Sequence, residues 1–195
     1  MKLTPGYSFG GHLSHLFPND FTVSNQLYSL NDDAFWMLEA LHEATSGIGI
    51  TNPNPAVGCV IVGSDGREVS RGHTQIYRKE HAERMAFKKA PLSALDGATV
   101  YTTLEPCCHQ GHQPPCLNLL LETPIKRVVI ACQDPFHLVN GQSIQKLKNA
   151  GKSVTLGVLN REVTAWHFPF LASQRSQRPT IILKWAQTLD GQLAD

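Results

Sequence analysis

The sequence predicts a mixed α/β domain built in three layers, with helices packed on both faces of one central sheet. Two observations carry this expectation. Short runs rich in β-branched and apolar residues recur at 56–62, 98–103, 127–132 and 154–159, the composition of strands buried on both sides. Stretches with apolar residues at helical spacing lie between them. Strands therefore alternate with helices, the pattern of a layered α/β domain whose ligands bind at strand ends.

Taken in order, residues 1–31 show no sustained periodicity and read as an N-terminal extension. Asn31, Asp32 and Asp33 offer N-caps for a helix that turns Phe35, Leu38, Leu41 and Ala44 toward the sheet and stops at Ser46-Gly47. Thr51-Asn52-Pro53-Asn54-Pro55 is a rigid loop, because each proline fixes its own φ and keeps the preceding residue out of the helical region, so Asn54 is held in place. The strand at 56–62 turns through Ser64-Asp65-Gly66 into a second strand at 67–72, forming a hairpin.

A helix follows at 81–90. Side chains two residues apart diverge by about 200° in mid-helix, so His81 and Glu83 are placed at the helix start, where both can converge on one point. After the strand at 98–103, Pro106 suits a first helical turn and puts Cys107 at a strand-to-helix junction, where the helix N-terminus favours thiolate. A polar loop at 108–115 delays the helix body, which Pro124 ends. A strand at 127–132, a helix at 142–150 capped by Gly151, a strand at 154–159 and one helix at 161–171 complete a domain spanning 32–175. That last helix carries Val163, Trp166, His167 and Phe170 on one side. Residues 176–195 read as a linker and a further strand from 180–183.

Composition narrows the function classes. A chain of 195 residues with 42% hydrophobic and 17% charged residues has the makeup of a globular domain. Its formal net charge of +1, with no basic run, gives no electrostatic footprint for nucleic acid and points to a small-molecule substrate. Three of the five cysteines cluster near histidines, which fits metal ligation in a reducing, cytoplasmic compartment. Pro5, Gly6, Gly10 and Gly11 interrupt the N-terminus before a secretory apolar region develops, and no run approaches membrane-spanning length.

The chemistry concentrates in residues 101–116 (YTTLEPCCHQGHQPPC) and in the upstream triplet His81-Ala82-Glu83. His81, Cys107 and Cys116 form a three-ligand set for Zn2+ that leaves a fourth position for water. Glu83 is the catalytic candidate, placed to move protons to and from that water, and H-x-E followed by P-C is the zinc deaminase signature. The second cysteine comes late, at a C-x8-C spacing. A purely structural zinc is the plainer alternative, and Cys108 could close the site as a fourth ligand, although adjacent cysteines rarely fit one tetrahedron. Cys59 and Cys132 read as core residues, Glu105 as a loop-orienting hydrogen bonder, and His112 as either a solvated loop histidine or a titratable phosphate contact.

The segments TNPNPAVGCVIV, HAE, TLEPC and PPC make the chain resemble the deaminase domain of the bifunctional riboflavin-biosynthesis deaminase/reductases, over about residues 32–175. The tail KWAQTLDGQLAD resembles the opening of their reductase domain. The resemblance implies a cytidine-deaminase-like three-layer α/β/α sandwich with a mixed central sheet. It implies zinc-dependent hydrolysis of 2,5-diamino-6-ribosylamino-4(3H)-pyrimidinone 5′-phosphate to the 2,4-dione with release of ammonia, Glu83 transferring the protons. Asn54, the backbone N–H of Ala82, His112 and Asp134 would hold this phosphoribosyl-aminopyrimidine. Neither nucleic acid nor membrane is implied; a homo-oligomer and a separate reductase partner stay open. Departures fall near the expected phosphate position: Cys108, His112 and Gln113 replace Ser, Lys or Arg, and Thr, while Thr74, Phe136 and Gln142 also differ from the family pattern. The competing readings are a deaminase of another aminopyrimidine or nucleotide, and a non-catalytic zinc module that binds a reductase chain.

Overall fold

The computed structural model describes residues 32–193; the N-terminal extension assigned to 1–31 lies outside them. Five strands and six α-helices follow in the order α1 (Asp32–Ala44), β1 (Gly58–Val62), β2 (Glu68–His73), α2 (Ala82–Lys89), β3 (Thr99–Leu104), α3 (Cys116–Glu122), β4 (Arg127–Cys132), α4 (Gln142–Asn149), β5 (Ser153–Leu156), α5 (Asn160–Trp166) and α6 (Phe168–Ser176). The sheet order is β2-β1-β3-β4-β5. β1 runs antiparallel to β2 and β3, whereas β3, β4 and β5 are mutually parallel. The central strands are buried almost throughout, which is why they read as continuous apolar runs.

Two glycines fix how closely the outer layers approach. Gly58 and Gly72 sit in neighbouring registers of the β1–β2 pair, Gly58 opposite His73 and Cys59 opposite Gly72, so they point to opposite faces. A Cβ on Gly58 would lie 1.8 Å from the Ala40 carbonyl oxygen of α1, and one on Gly72 would lie 2.5 Å from the Ala86 nitrogen of α2. Each helix backbone therefore rests directly on the sheet, one on each side. This contact also corrects the expected face of α1. Met37, Ala40, Leu41 and Ala44 are buried, while Phe35 and Leu38 are about 40% exposed. Both rows are equally regular at helical spacing, and the close approach at Gly58 selects the one carrying two alanines.

α1 is also tied across three strands. The Asp33 carboxylate accepts two hydrogen bonds from the Arg127 guanidinium, at 2.7 and 2.6 Å, and one from the Tyr101 hydroxyl at 2.9 Å. Burial pushes the Asp33 pKa upward, but these donors hold it below the usual carboxylate value. Arg127 donates further to Thr155 of β5.

The C-terminal region differs from the expectation in two ways. The single helix expected at 161–171 is two helices, α5 and α6, which meet at His167. Pro169 lacks an N–H and its ring clashes with the carbonyl one helical turn back, so it begins a helix rather than continuing one. The strand expected from 180–183 is absent; an isolated bridge joins Gln187 and Leu193. A strand exists only by pairing, and no sheet edge pairs with residues 180–183. α6 also extends to Ser176, into the start of the expected linker.

His167 is buried at the α5–α6 junction, its Nε2 3.1 Å from Thr103 Oγ1, which also accepts the Gly58 N–H. Burial pushes the His167 pKa down to about 4. The folded value lies below the unfolded value, so the unfolded state binds the proton first as pH falls. Stability is then lost between pH ~6.5 and ~4, by on the order of 3 kcal/mol for this group. Asp134, raised to about 6 chiefly by burial, acts in the opposite direction over much of that interval. The difference between the wild type and His167→Gln isolates the histidine. In urea unfolding at pH 7.5, 6 and 5, the wild type is expected to lose more stability than the variant, and parallel pH slopes would refute the assignment.

Candidate metal centre and active site

The site assembles where α2 begins, β3 ends and α3 begins. His81 is the N-cap residue of α2, in extended conformation, and its carbonyl accepts the first helical hydrogen bond from Met85 at 3.0 Å. Glu83 stands in the first turn, where the helix dipole favours a carboxylate. Placing the pair at the start of the helix lets both side chains reach the same region. Ala82 between them is buried, and its amide belongs to the first turn, which has no intrahelical acceptors.

Cys107 does not open a helix, contrary to the expectation from Pro106. The chain from 105 to 115 is a loop, and α3 starts at Cys116 with Pro115 at its N-cap. Pro114 and Pro115 keep the residues before them extended, so no helix can form until they are passed. The helix terminus reaches Cys107 from across the loop instead. The Cys116 N–H donates to Cys107 Sγ at 3.3 Å and the Leu117 N–H donates to the Cys107 carbonyl at 3.1 Å.

Three donor atoms converge there. His81 Nδ1 is 3.5 Å from Cys107 Sγ and 3.6 Å from Cys116 Sγ, and all three ligand atoms lie within 4.8 Å of one another. Zinc–sulfur bonds of about 2.3 Å and zinc–nitrogen bonds of about 2.0–2.1 Å at a tetrahedral angle would set nitrogen and sulfur about 3.6 Å apart. The donor set therefore fits a tetrahedral zinc ion in both chemistry and spacing. Among the described residues it is the one His/Cys/Asp/Glu group of this kind.

The electrostatics agree. A hydrogen bond from the Cys116 thiol draws the Cys107 pKa down and the Cys116 pKa up, while His81, raised chiefly by its bond to Cys107, adds a further donor to that sulfur. One thiol thus gives up its proton readily and the other is held by its neighbour, a balance that a dication would shift toward two thiolates. Glu83 is 3% exposed, and burial, then the charge of Cys107, pushes its pKa up.

Residues 30–132 match the family described as the cytidine and deoxycytidylate deaminase zinc-binding region. The chain belongs to this family. The matched span of this zinc-binding deaminase family runs from α1 through β4 and contains His81, Glu83, Cys107 and Cys116. The chain is also 45% identical over 162 residues to the riboflavin biosynthesis protein RibD of Aquifex aeolicus, covering 83% of this chain and 45% of the relative. It is 41% identical over 162 residues to RibD of Escherichia coli, covering 83% and 44%. The chain spans less than half the length of these relatives. Among solved structures, the Thermotoga maritima diaminohydroxyphosphoribosylaminopyrimidine deaminase/5-amino-6-(5-phosphoribosylamino)uracil reductase superposes with a TM-score of 0.78 at 42% identity, covering 84% of this chain and 47% of that one. RibD of Acinetobacter baumannii gives 0.77 at 40% identity, covering 83% and 45%. The α/β/α sandwich with a mixed sheet is thus the architecture of this deaminase group.

The remaining sequence-derived candidates lie in the loops before β1, between β3 and α3, and after β4. Asn54 sits in the loop entering β1, where its N–H and carbonyl pair reciprocally with the Thr51 carbonyl and hydroxyl, both at 2.9 Å; among the described residues no hydrogen bond ties it to the ligand cluster. His112 is exposed, its Nε2 3.3 Å from the Tyr77 hydroxyl, and the Arg78 guanidinium lies 5.4 Å from the centre of the Tyr77 ring. Gln113 donates to the Arg78 carbonyl at 3.1 Å. The loop at 75–80 therefore packs on the loop at 108–115, a pairing that carries no sequence signal. Asp134 is buried, accepts the Phe136 N–H at 2.8 Å, and is raised by burial. Beside it, His109 packs on the Phe136 ring, and its Nδ1 is buried without a hydrogen-bond partner. Cys108 points away from the cluster and donates to the Leu138 carbonyl at 3.3 Å.

Proposed function

We propose that the chain catalyses the zinc-dependent hydrolytic deamination of 2,5-diamino-6-ribosylamino-4(3H)-pyrimidinone 5′-phosphate in riboflavin biosynthesis. The observation that carries this reading is the donor triangle at tetrahedral spacing with the buried Glu83 carboxyl beside it. His81, Cys107 and Cys116 would hold the ion. Bound zinc supplies Lewis acidity that makes water a competent nucleophile near neutral pH. Glu83 takes a proton from that water as the C–O bond forms at the amidine-like carbon. It passes that proton to the ring nitrogen, then takes the second from the new hydroxyl and delivers it to the departing amine as the C–N bond breaks, so one water is consumed and one ammonia leaves. Burial excludes bulk water from this exchange and keeps the proton on the Glu83 shuttle.

Substrate contacts follow from the surroundings. The first-turn amide of Ala82 is a free donor for a ring carbonyl, and Asn54 faces the task from a loop whose backbone is already closed on Thr51. Asp134 suits the ribose hydroxyls, and the unpartnered His109 Nδ1 offers a further polar contact. The phosphate is assigned to the rim where His112 and Arg78 flank Tyr77, an arrangement that returns a fixed cation to a loop lacking Lys or Arg. Residues 32–175 form the deaminase domain in this reading, and 176–195 the opening of a reductase-like region. Ile181, Ile182 and Leu183 are all more than three-quarters exposed there. A small-molecule substrate fits the site, and no helix among the described residues is long and apolar enough to cross a membrane.

Incubating the zinc-loaded protein with the riboflavin intermediate is expected to release ammonia stoichiometrically with the dione, read by a coupled ammonia assay. Turnover of cytosine or adenine nucleotides without turnover of this intermediate would replace the substrate assignment while keeping the chemistry.

A further inference from the structure

Among the described residues, Glu105 is a buried carboxylate that belongs to no ion pair and receives backbone hydrogen bonds from two segments distant in sequence. Its own N–H donates to the Cys132 carbonyl at 3.0 Å, which fixes the backbone at the end of β3 against the end of β4. The side chain then reaches the N-terminus of α4. Oε2 accepts the Gly141 N–H at 2.9 Å and the Asp134 N–H at 3.3 Å; Oε1 accepts the Ser143 N–H at 3.1 Å and, at the edge of bonding distance, the Ile144 N–H at 3.4 Å. α4 has no side-chain cap of its own at Gly141. Glu105, 36 residues away in sequence from Gly141, performs that role.

The connection also runs the other way. Ser143, fully buried in the first turn of α4, donates its hydroxyl to the Pro106 carbonyl at 2.5 Å. That carbonyl belongs to the peptide bond leading into Cys107. The helix is thus capped by residue 105 and grips residue 106 in return, a long-range counterpart of the reciprocal capping box. Proline fixes φ at 106, so this double tie ends at the residue immediately before Cys107. The same carboxylate holds the amide of Asp134, at the loop proposed to meet the ribose.

We propose that Glu105 and Ser143 act as a positioning clamp, which sets Cys107 for the metal and keeps the loop beginning at Asp134 in register with it. The proposal rests on the metal reading of the His81, Cys107 and Cys116 cluster, but not on the identity of the substrate. Buried groups that orient ligands from outside the coordination sphere alter metal affinity by about 10- to 100-fold when replaced.

Glu105→Gln puts an amide N–H against backbone N–H donors, and Ser143→Ala removes the grip on Pro106 while leaving the carboxylate cap. Each variant is compared with the wild type in the full chain by zinc competition against a chelator and by the visible spectrum of the cobalt-substituted protein. Glu105→Gln is expected to weaken zinc binding by about 10- to 100-fold. Ser143→Ala is expected to weaken it in the same direction, and both to change the position and intensity of the cobalt bands. Loss of a helix cap alone would lower the melting temperature of the metal-free protein without moving these signatures. An unchanged cobalt spectrum with zinc affinity within about twofold in Ser143→Ala overturns the clamp, including the case where Glu105→Gln fails to fold. A wild type without thiolate-to-cobalt charge transfer removes the metal centre and the clamp together, whereas failure to deaminate the riboflavin intermediate leaves both intact.

Discussion

Replacing Glu83 by glutamine is expected to lower ammonia release by about a thousandfold or more while zinc stays bound. The substitution keeps the shape of the side chain and takes no ligand from the His81, Cys107 and Cys116 set, so metal content should stay near one equivalent. What is lost is the capacity to accept and return a proton, which contributes typically about 10²- to 10⁴-fold in general acid–base catalysis. Glu83 relays two protons in the proposed sequence, one to the ring nitrogen and one to the leaving amine, so the upper part of that range is the expectation. The carboxyl is 3% exposed, and bulk buffer has little access to substitute for it. The measurement pairs a coupled ammonia assay with metal analysis of the same sample. Activity within about tenfold of wild type with zinc retained would remove Glu83 from the proton path and favour the non-catalytic zinc module.

The second large effect concerns the scaffold. Gly58→Ala is expected to destabilise the protein by on the order of 3 kcal/mol, because an added methyl would lie 1.8 Å from the Ala40 carbonyl oxygen, 2.7 Å from the Ala44 nitrogen and 2.9 Å from the Ala40 carbonyl carbon. All three are backbone atoms of α1, so no side-chain rotation relieves the clash. The helix must lift from the sheet and reduce the burial of Met37, Leu41 and Ala44. For a domain of this size the loss corresponds to a fall in melting temperature of roughly 6–12 °C. Thermal unfolding of the zinc-loaded variant reads this directly. A melting point within about 2 °C of the wild type would show that α1 is not held at that distance. Gly72→Ala tests the opposite face, where the obstacle is the α2 backbone at 2.5 Å.

These two residues stood differently in the sequence. Glu83 was legible as a proton-transfer candidate because a histidine and a carboxylate two residues apart, followed by P-C and a late second cysteine, form a chemical signature independent of packing. Gly58 was legible only as one glycine in an apolar strand; its role comes from a helix that the sequence cannot place. The same limit explains the misread face of α1, where two apolar rows satisfied helical periodicity and contact geometry chose between them. Cys107 shows a third case. Pro106 is compatible with a helix start, and two further prolines downstream decided against it. Its thiolate is still favoured by a helix N-terminus, but by that of α3 reaching across the loop.

Local chemistry and short-range pattern determined the candidate metal ligands, the proton-transfer candidate, the hairpin and the alternation that makes the layers. These depend on side-chain identity and on periods of two or 3.6 residues, which a linear chain displays openly. Tertiary structure alone decided which face of α1 is buried. It decided that the loops at 75–80 and 108–115 meet through Tyr77 and His112, and that Glu105 caps a helix 36 residues away. Such contacts depend on distances between segments remote in sequence, and a carboxylate destined for a surface looks the same in a sequence as one destined for the end of α4.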